Sequence, residues 1–157
     1  MLNRRHIRIK VLQILFAFFH SDSDDLLKCE RDLENSIQHT QSLYVHLLLL
    51  LVDLKLLAKT KIEKGRNKLL PSQEDLNPNT KFVDNKIFSL LQQNLDQVDK
   101  SNLEPNYWLG HSDLQSKLLG QIQASELYRD YMDKSNHSFI DDRKLISNLF
   151  KEFIAPN

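Results

Sequence analysis

Residues 3–20 read NRRHIRIKVLQILFAFFH, a basic head that runs without a break into an aliphatic and aromatic tail. Ile7, Val11, Ile14, Leu15 and Phe18 recur at helical spacing, and Leu12, Phe16 and Phe19 widen the stripe. Asn3 stands where an N-cap belongs, because its short side chain can accept from the free amides of a first turn. The spacing predicts one amphipathic helix with most of its circumference buried. Strand-like alternation bounded by tight-turn residues occurs neither here nor elsewhere in the chain, so the reading of this stretch extends to the whole as an all-α class.

The head of this helix conflicts with its own dipole. At about 100° per residue Arg4, Arg5 and Arg8 share one arc, on the side that becomes the apolar stripe further along, while His6 and Lys10 point elsewhere. The helix is thus expected to enter the core guanidinium-first. A helix start carries partial positive charge and favours Asp or Glu, whereas these arginines have no acidic neighbour. Local conflicts of this kind tend to mark functional sites. Arginine is permanently charged, forks onto phosphate and stacks on bases, and the free amides of the first turn add donors for the same anion. The alternative is that the arginines pair with acids elsewhere in the fold or simply solvate the terminus, and charge alone leaves the two readings even.

Outward from this stretch, composition sets limits. The chain of 157 residues suits one domain or a little more. Lys plus Arg equals Asp plus Glu at 21 each, so any nucleic-acid site has to be local. Cys29 is the only cysteine, which excludes a disulfide framework; with no signal peptide in view, a reducing cytoplasm is expected.

Ser21 to Asp25 forms an acidic, cap-rich break, and a second helix begins at Leu26. Leu26, Leu33, Ile37, Tyr44, Leu47, Leu51, Leu54 and Ala58 fall near heptad spacing before Gly65, as one long helix or as two with a bend near Gln38 to Ser42. The run Leu47 to Val52 is interrupted by His46, Asp53 and Lys55, too short for the roughly 20 apolar residues of a span, so a buried core helix is expected and no membrane partner. Its leucines cover too many faces for a two-stranded coiled coil. Lys59, Lys61, Lys64, Arg66 and Lys68 suit a helix C-terminus, and a second phosphate patch is the weaker reading because no aromatic is interleaved.

Pro71 to Pro78 reads as a polar loop. A third helix capped by Thr80 carries Phe82, Val83, Ile87, Leu90 and Leu91. A turn from Pro105 to His111 holds Tyr107 and Trp108, a packing anchor. Asp113 is expected to cap a helix running through Leu114, Leu118, Ile122, Leu127 and Tyr131, and a last helix spans about Asp141 to Ile154. The expected architecture is a bundle of about five helices, with 1–70 holding the first two, 71–79 the loop and 80–157 the rest.

Catalytic chemistry is sparse. His6, His20, His39, His46, His111 and His137 show no metal-ligand pairing with one another or with Cys29, and no Gly-rich phosphate loop occurs. Asp24-Asp25 and Asp141-Asp142 read as helix-start charges. A binding protein without catalytic residues, metal or cofactor is expected.

Arg4-Arg5-His6-Ile7-Arg8 followed by Val11-Leu12-Gln13-Ile14-Leu15-Phe16 resembles the start of NusB-type transcription antitermination factors, in which an Arg-Arg-x-x-Arg head leads into an aliphatic helix. Phe16 stands where many relatives have Tyr, and Ile9 and Lys10 where many have Glu and a small residue. Residues 78–83, 124–132 and 149–157 look like the longer homologues of the Bacteroidetes type, so the resemblance covers nearly the whole chain and implies the N-terminal part of a longer protein. It also implies an all-helical RNA-binding protein that binds the boxA element of ribosomal RNA leader transcripts with a small-subunit ribosomal protein, NusE, and helps RNA polymerase elongation complexes pass terminators. The RNA-binding head carries over to Arg4, Arg5 and Arg8, with His6 and Lys10 as helpers. Two alternatives remain: the NusB-like domain of an rRNA methyltransferase, and a helical interaction scaffold or homo-oligomer that uses the leucine-rich helix around Leu47 to Leu57 and binds no RNA.

Overall fold

The computed structural model describes residues 3–21, 25–96, 108, 110–135 and 138–155. Asp22 to Asp24, the segment from Gln97 to Tyr107, Leu109, His137 and the final Pro156-Asn157 lie outside the described residues, and with them most of the expected Pro105 turn. The helices are α1 Arg4–Phe19, α2 Leu26–Arg66, α3 Gln73–Leu76, α4 Lys86–Asp96, α5 Ser112–Ala124, α6 Glu126–Asp133 and α7 Phe139–Leu149. A wider turn at Phe150–Ile154 follows, closed by a bond from Ala155 N to Phe150 O at 2.8 Å. Among the described residues there is no strand, so the class is all-α as expected. Among the described residues seven α-helices are found, where about five were expected.

Local chemistry explains the extra elements. Ser125 takes an extended conformation and stops α5, and its Oγ then accepts from Tyr128 N at 3.2 Å to start α6, dividing the expected single helix. Within the expected Pro71–Pro78 loop, Ser72 and Asp75 form a reciprocal capping box that folds one turn, α3. Lys68 closes both Asp75 oxygens at 2.9 Å. Gly65 is buried opposite, where an added Cβ would fall 2.7 Å from Asp75 Oδ1. Thr80 does not cap the third long helix: residues 81–84 form a turn, and α4 starts where Asn85 Oδ1 accepts from Ile87 N and Asp142 Oδ2 from Lys86 N. Asp113 likewise sits inside the first turn of α5, behind an N-cap position occupied by His111.

α2 is helical through all 41 residues, Gln38 to Ser42 included. The chain divides within it into two compact units, Met1–Val45 and His46–Asn157. In the second unit, Leu50, Leu51, Leu54 and Ala58 of α2 join Phe82, Phe88, Leu119, Ile122, Leu145, Ile146 and Leu149 in one buried core. Phe82 meets the Phe88 ring edge-on at 5.2 Å. Trp108 anchors here as expected, its Nε1 donating to the His46 carbonyl at 2.7 Å. Asn85, Tyr131 and Asp142 form a buried polar knot: Tyr131 Oη donates to Asp142 Oδ1 and Asn85 Nδ2 to the Asp142 carbonyl. By length and composition α2 would also pass as a membrane-crossing helix, a test that the core helix of a soluble protein passes too.

The first unit contains α1 and the start of α2. Asn3 caps α1 by accepting from His6 N at 2.9 Å, and Asp25 caps α2 by accepting from Lys28 N at 3.0 Å. Contrary to the expectation of a mostly buried helix, α1 has no buried residue. Val11, Ile14 and Phe18 are half-buried, as are Cys29, Leu33, Ile37 and Thr40 on α2. Within this unit that is about one residue row per helix, since two helices offer each other one face.

Candidate nucleic-acid interface

The first turn of α1 has no acidic residue, and Arg4, Arg5, His6 and Arg8 are all exposed. The Asn3 side chain and carbonyl engage His6 N and Ile7 N, at 2.9 and 3.1 Å, which leaves the amides of Arg4 and Arg5 ahead of the first intrahelical bond. Among the described residues no carboxylate lies within ion-pair distance of any of the three guanidinium groups. The pairing alternative thus finds no partner among the described residues, while the exposed head fits both phosphate binding and simple solvation of the terminus. Nor do these arginines enter the core, since the whole helix start is exposed.

The arginine arc continues along α1 into an open apolar face. At about 100° per residue Leu12, Leu15 and Phe19 fall on the same side as Arg4, Arg5 and Arg8, with Phe16 at its edge. Leu12 is 68 % exposed, Phe16 63 % and Phe19 76 %. Phe16 is occupied on one side by the His20 ring, stacked at a centroid distance of 4.0 Å.

Lys10 belongs to a different surface. It is half-buried and lines an open groove with Asp32, Asn35, Ser36, His39, Thr40 and Leu43 of α2, a groove that none of the arginines lines. Of the five expected residues, Lys10 lines this groove, while Arg4, Arg5, His6 and Arg8 are exposed and do not line it. Sequence reasoning missed the α2 side of that groove. Its signal was a polar stripe at 32, 35, 36, 39 and 40, spaced i, i+3, i+4, i+7 and i+8, the inverse of an apolar helix face.

The second basic stretch has its cations largely engaged. Lys59 lies 3.8 Å from Glu63, Lys61 donates to Gln123 at 2.8 Å and Lys68 holds Asp75, while Lys64 and Arg66 complement the last turn of α2. Among the described residues no group of three or more His, Cys, Asp or Glu side chains could hold a metal ion. No protein-family model matches the chain, and no curated protein or solved structure matches it either.

Proposed function

We propose that the protein is an RNA-binding transcription antitermination factor that works by binding without chemistry. The observation that carries this reading is the cluster of Arg4, Arg5 and Arg8, exposed at an acid-free helix start and committed to no carboxylate among the described residues. Cations at a helix N-terminus are disfavoured by roughly 0.3–1 kcal/mol each, so an external anion stabilises the arrangement. Guanidinium groups with two free backbone amides suit the phosphates of a single strand, whose unstacked bases remain available for reading. The NusB-type resemblance of the same head supplies the polymer: boxA-like RNA of ribosomal leader transcripts, bound in the cytoplasm with a small-subunit ribosomal protein beside RNA polymerase. Replacing Arg4, Arg5 and Arg8 by Ala is expected to weaken RNA binding and to flatten its log–log salt dependence by roughly two units, at about 0.7 per phosphate contact. An unchanged affinity and slope would overturn the assignment.

The open apolar face at Leu12, Leu15, Phe16 and Phe19 favours a second reading, a helical interaction scaffold indifferent to RNA. Sedimentation with an RNA titration separates the two, since a stable oligomer that ignores RNA fits only the scaffold.

A further inference from the structure

The groove beside Lys10 is distinct in chemistry from the arginine head. It is an open groove of about 490 Å³ and lies wholly within the first compact unit. Asp32, Asn35, Ser36 and His39 project from successive turns of α2 toward it, and Lys10 closes the α1 side. Thr40 is committed, its hydroxyl donating to the Ser36 carbonyl at 2.9 Å. The side chains of Lys10, Asp32, Asn35, Ser36 and His39 make no hydrogen bond or ion pair with other described residues.

A bare phosphate is a poor occupant, because the Asp32 carboxylate would repel it and only Lys10 would attract it. The edge of a base fits better. A carboxylate accepts from an exocyclic amino group, as on cytosine N4, and an amide side chain pairs donor to acceptor with an adenine edge. His39 offers a ring for stacking and Lys10 a cation for the flanking backbone. We infer that this groove takes one unstacked, amino-bearing base, adenine or cytosine, of the single strand whose phosphates the arginine head holds. The inference rests on the RNA-binding reading above and adds the base-reading element that the arginines lack.

Uracil presents carbonyls where adenine and cytosine present amino groups, so Asp32 disfavours it. Twelve-nucleotide oligo(A), oligo(C) and oligo(U) RNAs, titrated against the full chain at several salt concentrations, provide the test. The wild type is expected to bind oligo(A) and oligo(C) about 10-fold more tightly than oligo(U). Asp32→Asn and Asn35→Ala, both at exposed positions, are expected to flatten that preference and leave the salt slope unchanged, because neither residue meets a phosphate. Circular dichroism establishes that each variant is folded. Equal wild-type affinity for all three RNAs, or folded variants that keep the preference, would overturn the inference. If the arginine variants lose affinity while the groove variants keep the preference, only the groove assignment falls. If no RNA binds at all, the functional reading falls with it.

Discussion

Tyr131 Oη donates to Asp142 Oδ1 at 2.7 Å, joining α6 to the first turn of α7 inside the core. The other Asp142 oxygen accepts from Lys86 N at 3.1 Å, so one carboxylate fastens the starts of two helices. Tyr131→Phe keeps the ring and deprives the buried carboxylate of a donor. The expected loss is about 1–3 kcal/mol of unfolding free energy, measured by urea denaturation. A variant as stable as the wild type would show that the ring alone holds this junction.

The same phenol should resist deprotonation. Burial pushes its pKa up, and the adjacent Asp142 carboxylate pushes it further. A folded pKa above the ordinary value of about 10 gives stabilisation that is complete below that pH and is lost as the pH rises beyond it. Absorbance titration should therefore show Tyr131 ionising late, and melting temperature falling on the alkaline side. Tyr131→Phe should remove part of that fall.

Acid acts through Asp141. Its hydrogen bond to Lys134 at 2.8 Å and the Ser138 amide hold the carboxyl well below the usual range. A lowered folded pKa gives stabilisation present above about pH 3.9 and lost as the pH falls below it. Asp141→Asn, which weakens both the ion pair and the capping box of α7, should reduce the melting temperature at neutral pH. It should also make the melting temperature less sensitive to acid than in the wild type.

Packing gives the sharpest contrast. Phe88 is fully buried, and Phe88→Ala should cost about 3–5 kcal/mol. Leu12→Ala, on the open face of α1, should stay within about 0.5 kcal/mol. Chemical denaturation of both variants against the wild type measures the difference, and a large loss at Leu12 would mean that α1 is covered in solution.

The sequence was informative where local chemistry decides. Asn3 caps the helix expected of it, the cap-rich run 21–25 supplies Asp25 as the cap of α2, and Leu51, Leu54 and Ala58 are buried at their heptad-like positions. It was silent where distant residues decide. The start of α4 depends on Asp142, 56 positions downstream of Lys86, and no propensity at Thr80 reveals that. Periodicity showed that α1 has an apolar side but not whether anything covers it. The pairing of Lys10 with the 32–40 stripe likewise needed the fold, because spacing within one helix says nothing about which face of another it meets.

A helix that buries no residue is released from the demands of packing. Outside Lys10, Val11, Ile14 and Phe18, the residues of α1 are exposed and can change without disturbing a core. In a library randomised at the remaining positions, folded yield should vary little, while the proposed binding of RNA, measured by retention on an RNA column, should vary widely. The surface chemistry of α1 can then drift, or be redesigned, independently of whether the protein folds.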